Sequence, residues 1–139
     1  MSNIEVKIGK DFHLRTGLRH CAISEYSGEL FYHTVLNSNF KTAVERKVQL
    51  IVDIDGGRGY SPSFIDESFG NLVYDFGLKL VQKHLVIRSE KYKVWLDYVA
   101  SQTFPAWEIR RERDERPIKT IVHKDWWRCV NNEFILESY

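Results

Sequence analysis

Four carboxylates near the middle of the chain are of the types that could do acid–base or metal chemistry. Asp53 and Asp55 stand at the end of an apolar run, and Asp66 and Glu67 follow in the next segment. Paired carboxylates can exchange a proton or bind a hard cation such as Mg²⁺. Acidic residues near a helix start also complement the helix dipole and are usually solvated. We consider this second, structural use the commoner one for such a cluster.

A glycine-rich stretch lies between these carboxylates, formed by Gly56, Gly57 and Gly59 around Arg58. Glycines let a backbone approach a ligand closely, and the start of a following helix presents free N–H groups to an anion or a partner. The same glycines can simply form a tight turn from strand to helix. The stretch matches neither GxxxxGK[ST] nor GxGxxG, so it is weak evidence for nucleotide binding.

The remaining reactive residue types form no known catalytic or metal-binding pattern. Ser61 and Ser63 lack the flanking glycines of the nucleophile elbow G-x-S-x-G. The histidines and cysteines have no zinc-ligand spacing; they are His13, His20, Cys21, His33, His84, His123 and Cys129. We therefore expect no catalytic residue, no metal site and no cofactor.

The elements on either side of the loop are the clearest in the sequence. Residues 48–54 form a nearly continuous apolar run rich in β-branched residues, which predicts a strand buried on both faces of a sheet. Ser61 suits a helix N-cap, Pro62 suits the first helical position, and Gly77 suits the residue just past the end. The loop therefore joins a central strand to a helix.

Weaker patterns predict the N-terminal elements. Alternating apolar residues at 4–8 indicate a half-buried strand. Ser27 opens a helical stretch that residues 37–39 interrupt, with Ser38 capping a second piece.

Further along, residues 84–88 indicate another buried strand, and Ser89 caps a third helix that Pro105 should stop. This alternation of strands and helices predicts an α/β fold, with a mixed sheet flanked by helices. Residues 110–116 fit either a charged helix or a strand and turn, and Asn131-Asn132 resembles a two-residue hairpin turn. We expect one α/β unit over residues 1–103 and a β-rich C-terminal extension over 104–139 packed on it.

Composition limits the function classes. The chain has 139 residues and a net charge of +1, with no long run of one sign, so a nucleic-acid surface has little support. No window is apolar enough for a membrane helix, and the N-terminus lacks the apolar stretch of a signal peptide. Cys21 and Cys129 do not form a CxxC motif, and two such isolated cysteines are typical of free thiols in a reducing compartment. We expect a cytoplasmic protein.

Three segments resemble the STAS-like family, the relatives of the anti-sigma-factor antagonist domain. They are residues 26–31 (YSGELF), 51–60 (IVDIDGGRGY) and 61–73 (SPSFIDESFGNLV). Upstream, Gly17-Leu18-Arg19 is similar to a Gly-x-Arg element that precedes the first helix. The last two segments are the most specific, because their residue types occur in a fixed order over more than twenty positions.

The resemblance implies a regulatory role in a bacterial or phage protein. STAS domains commonly dock onto a kinase-like ATPase, and phosphorylation of a Ser or Thr at the start of the helix after the central strand switches that docking. Ser63 lies closest to that position, although Ser61-Pro62-Ser63 replaces the usual Asp-Ser-Ser element.

We expect a non-enzymatic module that binds a protein partner through residues 55–67, without nucleic acid or membrane; self-association stays open. The candidate contacts are Arg19, Asp55, Gly56, Gly57, Arg58, Gly59, Tyr60, Ser61, Ser63, Asp66 and Glu67. A rival is a sensor that binds a nucleotide or another anion at the same loop. An unrecognised hydrolase or transferase ranks third, because no nucleophile–base pair is visible.

Overall fold

Three parallel strands form the main sheet. In the computed structural model, which describes residues 2–139, they are β1 (Ile4–Lys7), β2 (Leu50–Asp53) and β3 (Leu85–Arg88), in the order β1-β2-β3. Leu50 pairs with Ile4 on one side and with Leu85 on the other. The apolar run 48–54 thus provides the central strand, as predicted. The α/β class is confirmed, but the main sheet is wholly parallel rather than mixed.

Seven α-helices and one hairpin complete the described part of the chain. The helices are α1 (Ile8–Asp11), α2 (Gly28–Phe31), α3 (Asn37–Arg46), α4 (Pro62–Phe76), α5 (Leu78–His84), α6 (Lys93–Tyr98) and α7 (Phe104–Glu112). The hairpin pairs β4 (Trp126–Val130) with β5 (Glu133–Glu137). None of the helices in residues 2–139 has the length and apolar character that crossing a membrane requires.

Helix α4 begins and ends at the residues that the sequence indicates. Ser61 Oγ accepts a hydrogen bond from Phe64 N at 3.1 Å, Pro62 is the first helical residue, and Gly77 follows the last one with φ of 87°. Twelve of the 15 residues of α4 are buried, far more than one apolar stripe. A helix buried nearly all round lies in the middle of a fold rather than on its surface. α4 is therefore the central helix.

The prediction that residues 37–39 interrupt the first helix is wrong. A π-helical segment, Tyr32–Leu36, joins α2 to α3 without a break. Asn37 is buried, and its side chain exchanges two hydrogen bonds with the backbone of Trp127, at 2.9 and 2.8 Å. Because this amide bonds to Trp127 in the C-terminal hairpin, it does not replace the helical hydrogen bonds of its own backbone. The helix therefore continues through Asn37, and Ser38 is not an N-cap.

The prediction that Pro105 stops a helix is also wrong. A second π-helical segment, Val99–Thr103, carries α6 into α7, and Phe104 N–H donates to the Val99 carbonyl five residues back. Proline clashes with the carbonyl four residues earlier in a regular helix, and the wider π turn removes that conflict. Ser89 is not the N-cap either, because its Oγ accepts from Tyr92 N at 2.8 Å, one turn before α6 begins.

The C-terminal residues contain one more helix and the predicted hairpin. The charged stretch after Trp107 is helical up to Glu112. Of residues 110–116, for which the sequence fits either a helix or a strand and turn, the first three are therefore helical. Asn131 and Asn132 connect β4 to β5 with φ of 53° and 64°, the left-handed conformation of a two-residue turn.

Trp107 joins this region to α4. It is 1% exposed and lies on α4 at Gly70, where an added Cβ would be 2.2 Å from the indole Cε2. Only glycine leaves room for that contact.

We expect Gly70→Ala to lower the free energy of unfolding by about 1–3 kcal/mol, because the methyl group overpacks the Trp107 contact. Urea unfolding would measure it. In a Trp107→Leu background the added cost should largely disappear, since the indole atoms are gone. An equal cost in both backgrounds would contradict this packing.

Candidate functional site

The glycine-rich loop directs its polar groups inwards. Gly57 N–H donates to the Ile54 carbonyl at 3.3 Å, and Arg58 N–H donates to the Leu14 carbonyl at 2.8 Å. The Gly57 carbonyl accepts from Tyr92 Oη at 2.9 Å, and the Gly59 carbonyl from Thr16 Oγ1 at 3.2 Å. These groups hold the loop against its neighbours and are not free for an anion.

Tyr60 supports the loop from inside. Its hydroxyl donates to the Ile54 carbonyl at 2.5 Å, and its ring packs on Phe64 and Tyr92. Burial raises the pKa of Tyr60 well above its ordinary value. A Cβ at Gly57 would lie 2.1 Å from Tyr60 Oη, which explains the glycine there. Tyr60 therefore presents no free hydroxyl to a partner.

Asp55 joins the loop to the segment after β3. Its carboxylate accepts from Ser89 Oγ at 2.6 Å, from Glu90 N at 2.8 Å and from Lys91 N at 3.0 Å. The hydrogen bond from Ser89, with those from the two backbone amides, lowers the pKa of Asp55. Asp55 is thus a structural cap. Gly56 beside it is exposed and packs closely on Gly9.

Arg19 lies beside the start of α4 and binds both of its acidic residues. Its Nη1 is 2.9 Å from Asp66 Oδ2 and 3.1 Å from Glu67 Oε1. Glu67 is buried, and its Oε2 also accepts from Asn71 Nδ2 at 2.9 Å. The two carboxylates therefore share Arg19 as their charged partner.

The two serines at the helix start differ in role. Ser61 Oγ caps α4 and donates to the Gly17 carbonyl at 3.1 Å. Ser63 is half-buried, and its Oγ lies 3.2 Å from Ser61 Oγ.

Exposed side chains surround this helix start. Leu14 and Leu18 are each 46% exposed, and their segment is tied to the loop and helix through Arg58 N and Ser61 Oγ. We call the whole surface the docking face: Leu14, Arg15, Leu18, Arg58, Pro62 and Ser63, of which all but Ser63 are exposed. Of the predicted contacts, Arg58 and Ser63 belong to it, whereas Asp55, Tyr60, Ser61 and Glu67 are used internally.

Sequence reasoning missed a second polar centre, at Glu29. This side chain is fully buried, and its oxygens accept from the backbone and hydroxyl of Thr120, at 2.9 and 2.6 Å. They also accept from Cys21 N at 3.1 Å, His20 Nδ1 at 3.2 Å and His123 Nε2 at 2.6 Å. Burial alone would raise the pKa of Glu29, but the bonds from Thr120 and His123 outweigh it and lower the pKa to about 2. Glu29 joins the N-terminal loop to the tail.

Cys21, Glu29 and His123 are also the types of residue that hold metal ions. One ligand atom from each lies within 4.8 Å of the others. Both Glu29 oxygens already accept hydrogen bonds, however, and burial raises the pKa of the Cys21 thiol, whereas a metal needs the thiolate. The geometry therefore fits a hydrogen-bonded carboxylate better than a metal centre. No spacing rule could find this set, because His123 lies 94 residues from Glu29 in the chain.

His33 packs against this centre without a polar partner. Its ring stacks on His123 with centroids 4.0 Å apart, and among residues 2–139 neither ring nitrogen finds a hydrogen bond. Burial, together with the nearby His123, lowers the pKa of His33 to about 3.

Comparison with known proteins gives one match. Residues 27–95 match a family described as a STAS-like domain of unknown function (DUF4325). No curated protein and no solved structure matches the chain. The match runs from the N-cap of α2 into α6 and contains the glycine-rich loop and the whole of α4, which confirms the resemblance.

We expect His33→Phe to remove an acid-dependent loss of stability. The pKa of His33 is lower in the folded state than the roughly 6.5 of an unfolded histidine, so below about pH 6.5 the unfolded state binds the additional proton and stability falls. The variant should gain about 1 kcal/mol over wild type per pH unit between pH 6 and 5.

Denaturant unfolding from pH 7.5 to 5 checks this, above the range in which Glu29 titrates. Thr34→Val, which alters the exposed neighbour of His33, should follow the wild-type curve. Parallel curves for His33→Phe and wild type would contradict the assignment.

Proposed function

Because residues 27–95 belong to the family of STAS-like domains of unknown function, we propose that this protein is a regulatory module. It acts by binding another protein through the docking face and has no catalytic site of its own. The anti-sigma-factor antagonists that it resembles bind kinase-like ATPases, and a kinase-like ATPase is the proposed partner. Its two cysteines are free thiols, which fits work in the cytoplasm.

The main support for this proposal is the exposed and rigidly held surface beside the start of α4. Leu14 and Leu18 remain 46% exposed although their segment is hydrogen-bonded to the loop and the helix start. Apolar side chains on a fixed backbone lose little conformational entropy when a partner covers them, so they suit an interface.

Charge adds specificity to this surface. Arg15 and Arg58 are exposed beside the two leucines, while Arg19 is neutralised by Asp66 and Glu67. The complementary partner surface is apolar at its centre and acidic at its rim.

Ser63 is the proposed switch. It lies in the first turn of α4, where the positive end of the helix dipole tolerates a phosphate, so the modification should leave the fold intact. The added bulk and charge would instead oppose docking of an acidic partner.

The rival reading, a sensor for a nucleotide or another anion at the same loop, has less support. The N–H groups of Gly57 and Arg58 donate to carbonyls of the protein, and the Ser61 hydroxyl occupies the N–H of Phe64. With these donors already bonded, the loop offers an anion fewer free N–H groups.

We expect Ser63→Asp to fold like wild type but to bind a kinase-like ATPase domain at least tenfold more weakly, and Ser63→Ala to bind normally. Isothermal calorimetry with thermal melts separates the two properties. Ser61→Ala is the comparison variant: losing the cap should cost about 1 kcal/mol of stability, with less effect on binding than Ser63→Asp has. If Ser63→Asp binds like wild type, Ser63 does not belong to the partner-binding surface.

We also expect Leu18→Asp to abolish that complex, because it places a charge at the apolar centre of the docking face. Val94→Asp changes a side chain that is 67% exposed on α6 and should leave the complex intact. Light scattering after size-exclusion chromatography would report the complex and any self-association. Equal effects of the two variants would contradict the docking face.

A further inference from the structure

A separate cavity lies between the C-terminal half of α4 and the tail. Its volume is about 260 Å³, and Tyr74, Asp75, Arg116, Lys119, Trp126 and Arg128 line it, with Glu137 at β5. Apart from Tyr74 and Asp75, these residues lie outside the 27–95 family match. The cavity is distinct from the docking face, because it adjoins the other end of α4.

One cation of this cavity already has its partner. Arg128 Nε is 3.2 Å from Asp75 Oδ1, and its guanidinium lies 5.0 Å from the centre of the Tyr74 ring. The buried Asp75 also accepts from Tyr32 Oη at 2.5 Å. Arg128 and Asp75 thus form a wall of the cavity whose charges compensate each other.

The other two cations have no such partner. Within residues 2–139, no carboxylate lies within 4.0 Å of the Arg116 guanidinium or of Lys119 Nζ, Glu137 included. Lys119 is half-buried, with Nζ 5.0 Å from the centre of the Trp126 ring. A partly buried ammonium without a counter-ion is costly, and an arriving anion would relieve that cost.

We propose that this cavity binds a small phosphate monoester that carries one aromatic ring. Three cations line the cavity against the two carboxylates Asp75 and Glu137, so the net charge of its lining is positive and suits a phosphate, and an arginine can hold two of the phosphate oxygens at once. Tyr74 and Trp126 also line the cavity and provide apolar surface for the organic part. An apolar cavity of about 150 Å³ holds benzene, so about 260 Å³ has room for one ring with one anionic group.

The test is calorimetric titration of the full chain with phenyl phosphate, inorganic phosphate, benzoate and phenol. Phenyl phosphate should bind more tightly than the other three and should raise the melting temperature by mass action. Inorganic phosphate binding as tightly as phenyl phosphate would overturn the role of the ring. Benzoate binding as tightly would overturn the preference for phosphate, and no binding of phenyl phosphate at millimolar concentration would overturn the site.

Variants locate the binding. Lys119→Met and Arg116→Gln should each weaken phenyl phosphate binding roughly tenfold, about 1.4 kcal/mol. Lys119→Met should fold normally, because Lys119 forms no salt bridge that the change would break. The matched control, Lys124→Met, changes an exposed lysine that does not line the cavity and should bind like wild type. Equal weakening by Lys124→Met and Lys119→Met would overturn the placement, whereas Ser63→Asp should leave phenyl phosphate binding unchanged.

Discussion

The burial of α4 on nearly every side is the constraint on which the rest of the structure depends. A helix in the centre of a small domain must bury its polar residues with its apolar ones, and buried charges need partners. Glu67 forms an ion pair with Arg19 of the N-terminal loop, and Asp75 forms one with Arg128 of the C-terminal hairpin. The need to pair these two carboxylates therefore ties both ends of the chain to the same helix.

The tie between the two ends is repeated at Glu29. This buried carboxylate binds Cys21 from the N-terminal loop and Thr120 and His123 from the tail. Its partners lie outside the 27–95 segment that matches the STAS-like family, and so do those of Asp75 other than Tyr32. Removing them would leave buried anions without donors, which costs more than the hydrogen bonds themselves contribute. The family segment in this protein thus depends energetically on the residues around it.

The sequence predicts those parts of the fold that depend on neighbouring residues. The cap at Ser61, the end of α4 at Gly77 and the turn at Asn131-Asn132 each follow from one or two side chains and their own backbone. The predicted helix breaks at Asn37 and Pro105 do not occur. A π turn in each helix reorganises the local hydrogen bonds there, so the helix continues. The Glu29 centre and the cavity at Lys119 combine residues brought together only by tertiary packing, which no local pattern encodes.

The same packing bears on the proposal that this loop serves as an interface. The segment that carries Leu14 and Leu18 has no regular secondary structure, and a free loop would lose conformational entropy on binding. Three contacts fix it instead: Arg19 with the acidic pair of α4, the Gly17 carbonyl with Ser61, and the Leu14 carbonyl with Arg58 N–H. The charge on α4 that must be neutralised is thus also what holds the docking face in place before any partner arrives. A surface that is already ordered in this way loses little conformational entropy on binding.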